Sequence, residues 1–428
     1  MFKNTAYMTI STIARLLTGV VLFIVLARLF GPEDFGRLIY GFTLASIAIL
    51  LVDYGFSQQL LREIGRSPEN VRQIMGRVFL AKLLLTGLMA ALCLLATIIF
   101  PRGAQEEAIF WLLLVSCVLA SFGDFFNVAF RGIGQFHQET KVATIGSVLH
   151  FALLLIMALM GASLVMIALG FVLSRAVYLA LSWTAYSRIV GGLDFANQSA
   201  KTAVGALKSG FPYAADAGFT NFFSQVDTII VQHYLGATGV GVYQAGMRFL
   251  NGAMQFAPVL ANVYLPAIAG KAAHPEQLSQ LAKKLTMQLL VVGVVGWAVF
   301  SFAGEQITAL VFGAQYSALN SLWPYIGLLL FVRYLAASQG VLLTAIGAQS
   351  IRVWAQIFAL LVLLVSSPWL ITQFGLIGML IALVITTTAL VFIYTGVAVI
   401  RRFTLGLNPM SLFLIFGVLA LTARQIRA

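Results

Sequence analysis

Seven charged side chains lie deep inside long apolar runs: Arg15, Arg175, Arg248, Arg333, Asp53, Asp124 and Asp216. A charge near mid-bilayer costs roughly 2.5–3.5 kcal/mol on insertion scales, so each needs a functional reason. A guanidinium stays charged and can grip an anion through two parallel hydrogen bonds. The arginines therefore point to an anionic cargo. A carboxylate taken out of water has a raised pKa, so it can hold a proton and release it during transport, and Asp216 is the first candidate for such coupling. Asp53 and Asp124 offer the same chemistry nearer the ends of their runs. Lys82 is shallow enough for its long stem to snorkel to the interface. His150 sits mid-run, where it either relays protons or packs through a hydrogen bond.

Other chemistries are missing. There is no Walker loop, no H-E-x-x-H and no G-x-S-x-G. The two cysteines, Cys93 and Cys117, stand alone in apolar surroundings with no partner at metal spacing, so neither a disulfide, a metal nor a cofactor is implied.

The elements that carry these residues are membrane helices. Of 428 residues, 61% are hydrophobic and 9% are charged, against roughly 25% charged in soluble domains. That balance excludes a soluble enzyme and a nucleic-acid-binding module. Windows of 18 or more apolar residues, enough to cross roughly 30 Å of hydrocarbon, give about twelve spans. They cover 6–30, 35–62, 76–100, 107–131, 141–161, 164–187, 207–235, 239–264, 280–303, 319–346, 351–373 and 376–400. The net charge of +12 follows from lysines and arginines on one side of the membrane, not from a nucleic-acid partner. One set of loops holds Arg62, Arg66, Arg72 and Arg77, then Arg131 and Lys141, then Arg188, Lys201 and Lys208, and later Lys283 and Lys284. The alternate set is neutral or offset, as at Arg37 with Glu33 and Asp34. The positive-inside rule places both termini in the cytoplasm of a cell inner (plasma) membrane. The apolar run from Met410 to Ala423 is short for a crossing and reads as an interfacial helix or a truncated span.

The chain reads as two similar halves. Leu29-Phe30-Gly31 before Phe35-Gly36 matches Leu235-Gly236 before Val240-Gly241, 205 residues later. Phe100 and Trp111 match Phe312 and Trp323, and Gly132-Ile133-Gly134 falls near Ala345-Ile346-Gly347. A polar stretch at 188–206 separates the halves. The expected architecture is an all-α polytopic membrane protein. Its twelve transmembrane helices form two pseudo-symmetric six-helix lobes around a central cavity, followed by a short C-terminal apolar helix. The lobes cover 1–200 and 201–408, and the last segment is 409–428.

Several segments carry a family resemblance: Leu26-Ala27-Arg28-Leu29-Phe30-Gly31-Pro32-Glu33-Asp34-Phe35-Gly36, Asp53-Tyr54-Gly55-Phe56 with Arg62, Val226-Asp227 leading to Leu235-Gly236, and Phe312-Gly313-Ala314-Gln315-Tyr316. In these the chain resembles the polysaccharide or lipid-linked oligosaccharide flippases, the O-antigen-type translocases. Their superfamily also holds multidrug antiporters and peptidoglycan lipid flippases. The resemblance implies a two-lobed transporter that turns a polyprenyl-diphosphate-linked glycan from the cytoplasmic to the outer leaflet, as in lipopolysaccharide assembly. It implies that Arg15 and Arg248 line the cavity, one from each lobe, and hold the diphosphate headgroup, with Arg333 and Arg175 as further contacts. The alternative for Arg15 is an ion pair with Asp53. Asp216 and Asp53 are the coupling candidates. Asn221, Gln225, Asn251, Gln255 and Asn262 either bind sugar hydroxyls or tie helices together. The implied partners are the lipid-linked glycan, the lipid bilayer and other polysaccharide-assembly membrane proteins. Two other readings stay open: a cation-coupled multidrug exporter of the same superfamily, and a membrane polysaccharide polymerase or ligase. The first would favour acidic cavity residues. The second would need a sizeable outer loop, and no loop here is long.

Overall fold

The computed structural model describes the backbone of residues 2–196, 199–270, 275–345, 347–400, 414–415, 417–422 and 425. Side chains are described for these apart from 2–18, 200–201, 216, 220, 262, 266–267, 269, 275, 349 and 398–400. Helices dominate: α1 (Phe2–Asp53), α2 (Phe56–Arg66), α3 (Val71–Ile99), α4 (Ala104–Gly132), α5 (Phe136–Leu159) and α6 (Leu164–Val190) precede the polar linker. After it come α7 (Ala200–Met254), α8 (Phe256–Ala269), α9 (Pro275–Ile307), α10 (Trp323–Ala345) and α11 (Gln349–Ile400).

Three of the helices are broken by glycine. Gly31 in α1 has φ 73° and ψ 176°, and Gly236 in α7 has φ 66° and ψ −167°. Both angles lie in a region that is essentially open to glycine alone. The third break is Gly375 in α11, with φ 58°. Among the described residues, eight helical stretches are long and apolar enough to cross a membrane. Two of these, Gly19–Arg66 and Ser350–Val397, are 48 residues each and contain the breaks at Gly31 and Gly375. About twelve spans are expected from the sequence, and the difference has two parts. The turns at Gly31 and Gly375 barely interrupt the helix, so two pairs of segments merge, and the two spans expected at 207–235 and 239–264, along α7 and α8, are not among the eight. Along α3, Leu84, Leu88, Leu92 and Leu95 are all exposed at helical spacing. An apolar stripe of that length on an outer surface belongs against hydrocarbon, which makes this a multi-pass membrane protein.

Contacts divide the chain into two compact units, Met1–Ile229 and Ile230–Ala428, and the division falls inside α7. In the first unit α4 packs on α6 and on α1. Its core gathers Phe56, Leu60, Met75, Phe126, Phe130 and Tyr186. In the second unit α10 is the central helix, packed on α9 and α11, and 72% of its apolar window is buried against 28% for α3. Val418 of the C-terminal run packs with Trp297 and Phe331, and the Trp297 indole donates to Thr422 Oγ1 at 2.9 Å.

The two units share a local motif. At the end of α4, Gly134 N bonds Arg131 O and Gln135 N bonds Phe130 O. At the end of α10, Gly347 N bonds Thr344 O and Ala348 N bonds Leu343 O, each 213 positions further on. The side chains repeat the pairing with different chemistry. Arg131 meets Glu139 at 3.3 Å, and at the equivalent positions Arg352 donates to Thr344.

Candidate functional site

The best-developed polar site lies in the first unit, where α1 ends. Asp53 is its last residue. Tyr54 (φ 43°) and Gly55 (φ 66°) then turn the chain into α2. Gly55 is required there: a Cβ would lie 2.5 Å from the carbonyl carbon of Tyr213. That close approach brings the first part of α7 against α2. Gln59 donates to Ser209 Oγ at 2.9 Å, and Arg62 donates to the Tyr213 hydroxyl at 2.7 Å.

Lys82 reaches in from α3. It is 2% exposed, so the expected snorkelling does not occur. The stem is instead walled in, with Phe122 5.2 Å from the ammonium. The ammonium donates to Asp53 Oδ1 at 3.1 Å, to Val52 O at 3.4 Å and to Ser121 Oγ. Ser121, on α4, donates in turn to Asp53 Oδ1. Asp53 therefore has Lys82 as its described charge partner. A buried ammonium demands such satisfaction, since all three of its donors need acceptors.

One turn along α4, Asp124 accepts a 2.6 Å hydrogen bond from the Tyr178 hydroxyl of α6. A further turn along, the Asn127 amide donates to Tyr178 at 2.7 Å and to Ser182 at 3.2 Å. The i, i+3, i+6 spacing of Ser121, Asp124 and Asn127 puts all three on one helical face. Gly123 and Gly146 make room for the Tyr178 ring, which a Cβ at either would meet at 2.6 or 2.5 Å. The carboxylates of Asp53 and Asp124 are both exposed, and they border a cavity of about 180 Å³ closed on another side by Asn221 of α7.

The other sequence candidates are scattered. Arg175 is half-buried on α6, and its charge acts on His150 and Cys117. Arg248 on α7 and Arg333 on α10 are half-buried in the second unit. Arg15 lies on α1 and Asp216 on α7, but their side chains fall outside the described residues, as does any pairing of Arg15 with Asp53. His150 bonds Ser174 at 2.7 Å and stands edge-on to Phe171, a packing arrangement. Asp227 is buried and accepts from the backbone and hydroxyl of Thr228. Asn221 and Gln255 donate to the carbonyls one turn before them. Sequence reasoning missed Lys82, Ser121 and Tyr178 as site members. One signal was available: opposite charges at Asp53, Lys82 and Asp124 fall at similar depth in neighbouring spans.

Long apolar helices broken at matching glycines, with a buried ammonium held in a polar network, define a membrane-embedded helical protein. Residues 1–271 match the family model described as polysaccharide biosynthesis protein, and the chain belongs to that family. It is 25% identical over 327 residues to the succinoglycan biosynthesis transport protein ExoT of Rhizobium meliloti (strain 1021). The match takes in 74% of this chain and 62% of that protein's length. Among solved structures, the fold matches the inward-facing conformation of a multidrug resistance MATE family transporter, with TM-score 0.73 and 17% identity over 90% of this chain and 94% of that one. It also matches a MOP superfamily transporter from Pyrococcus furiosus, described as having a binding pocket of reverse polarity. There the TM-score is 0.57 and the identity 16%, over 93% of this chain and 92% of that one.

Proposed function

We propose that this protein is a flippase of polysaccharide biosynthesis, moving a polyprenyl-diphosphate-linked oligosaccharide from the cytoplasmic to the outer leaflet. The observation that carries the reading is the family membership, on a fold shared with MOP transporters, of a chain that keeps guanidinium groups inside apolar helices. Arg175, Arg248 and Arg333 are half-buried in such helices, and a guanidinium there is well suited to a diphosphate. This sets the protein among transporters rather than enzymes.

The mechanism in this reading is alternating access by two lobes of six helices, 1–200 and 201–408, with 409–428 as a C-terminal appendage. Breaks at Gly31, Gly236 and Gly375 support twelve crossings, and the loop charges support cytoplasmic termini in the inner membrane. Arg15 and Arg248 are the main headgroup contacts, joined by Arg333 and Arg175. Asp216 and Asp53 are the coupling groups. Other polysaccharide-assembly membrane proteins receive the flipped lipid, in an O-antigen-type or related envelope pathway.

The test is flipping of a fluorescent undecaprenyl-diphosphate oligosaccharide by the protein in proteoliposomes. Native flipping that is lost in both Arg15→Ala and Arg248→Ala, at equal folded amounts, is the expected result. Flipping that survives both changes would remove the headgroup site. The exposed carboxylates of Asp53 and Asp124 favour a second reading, an exporter of cationic compounds. Extrusion of a cationic dye without lipid flipping would establish it in place of the first.

A further inference from the structure

The cavity beside Asp53 and Asp124 has a donor and acceptor balance that selects its ligand. All three donors of Lys82 are spent, on Asp53, Ser121 and the Val52 carbonyl. No ammonium hydrogen is left for a phosphate. Asp53 uses Oδ1 for Lys82 and Ser121, and Asp124 uses Oδ1 for Tyr178. Asn221 spends one amide hydrogen on Ala217 O. What the described lining then offers a ligand is two carboxylate Oδ2 atoms, the Asn221 amide oxygen and its second N–H, beside the Ser57 hydroxyl and the Gln58 amide. Among the described residues, two carboxylates and one ammonium leave a net negative wall. Tyr54 and Phe125 add ring surface to the same lining. The volume of about 180 Å³ is below the roughly 300–1,000 Å³ of a drug-sized site. It suits one ring, not a whole oligosaccharide.

Carboxylate acceptors, a few neutral donors and ring surface match a sugar, whose hydroxyls both donate and accept and whose C–H face packs on an aromatic ring. The net charge of this described wall disfavours an acidic one. We infer that this cavity is a subsite for a single uncharged sugar residue of the lipid-linked glycan, and that Asp124 is the specificity-determining residue that turns away uronic acids. The inference rests on the flippase reading above and deepens it. The diphosphate binds elsewhere, since this wall repels it. On the topology proposed above, the cavity lies towards the cytoplasmic ends of its helices, where an incoming glycan is first inspected. Rejection by a like charge is a common route to specificity, because an unpaired like charge costs more than a lost contact.

The experiment uses the full chain in proteoliposomes and three fluorescent probes: undecaprenyl diphosphate carrying glucose, carrying glucuronic acid, or carrying no sugar. Binding of each probe is measured by competition alongside flipping. The native protein is expected to prefer the glucosyl over the glucuronosyl lipid by about tenfold or more. Asp124→Asn keeps an acceptor, removes the charge and is expected to bring the two within about threefold. Asn221→Asp adds a charge at the same wall and widens the preference, which keeps the test decisive where Asp124→Asn fails to fold. Tyr178→Phe removes the hydrogen bond to Asp124 but not its charge, and retains the preference. A native preference near one, or one that Asp124→Asn leaves unchanged, overturns the subsite. An equal loss with all three lipids in Asp124→Asn also overturns it, marking the carboxylate as a coupling group. If no lipid is flipped but binding keeps the expected preferences, the flippase reading fails and the subsite stands.

Discussion

Asp53 and Lys82 illustrate how unequal the two ends of an ion pair can be. Lys82 is 2% exposed and Asp53 52% exposed, so the ammonium depends on the carboxylate far more than the reverse. Asp53→Asn strands a buried charge, and the expected cost is about 3 kcal/mol, at the low end for a buried pair because one partner is half in solvent. Pairing it with Lys82→Met removes the stranded charge and is expected to recover most of that loss. Apparent melting temperatures of both single variants and the double variant, in detergent, measure the coupling; simple additivity would mean that the pair contributes nothing. Tyr178→Phe takes a donor from Asp124 and a partner from Asn127, and is expected to cost about 1–3 kcal/mol by the same measurement.

At the scale of the element, glycines decide where long helices turn. Gly31 and Gly236 hold nearly the same φ and ψ, and a side chain at either is strained regardless of space. Gly31→Ala and Gly236→Ala are each expected to cost about 1–3 kcal/mol. Gly87, in mid-α3, is the contrast, since a Cβ added there would meet nothing within 4 Å. Gly87→Ala is expected to be neutral or to stabilise by up to about 1 kcal/mol. Equal effects at all three positions, in thermal unfolding, would show that backbone conformation is not what the two hairpin glycines supply. Gly55 combines both demands, with φ 66° and Tyr213 backbone against it, and Gly55→Ala is expected to detach the start of α7 from α2.

For the whole molecule, the charge pattern makes a topological prediction. Asn70 follows α2 in the arginine-rich connection, and Gly103 precedes α4 on the opposite side; both are exposed. In a background with Cys93→Ala and Cys117→Ala, Gly103→Cys is expected to react with an impermeant maleimide in intact cells. Asn70→Cys is expected to react only after the membrane is opened. Reversed labelling would invert the topology and the direction of transport proposed above. The turns after α4 and α10 match in their backbone hydrogen bonds, even where Arg131–Glu139 is replaced by Thr344–Arg352.

What the sequence determined by itself was the class of the molecule and the position of its turns. Hydropathy is local, so long apolar runs declare membrane helices without any tertiary information, and Gly31, Gly236 and Gly347 each mark a positive φ that few other residues tolerate. The Asp53-Tyr54-Gly55-Phe56 segment was legible as a signature, and Asp53 as a charge with a purpose. What the segment does came only from packing: Gly55 admits Tyr213, more than 150 residues away, and Asp53 receives Lys82 and Ser121 from two other helices. Depth in a span can be read from spacing, but facing cannot, because a helix buries one side and the side is chosen by its neighbours. That is why Lys82 was legible as a charge near an interface and yet lies walled in between α1 and α4.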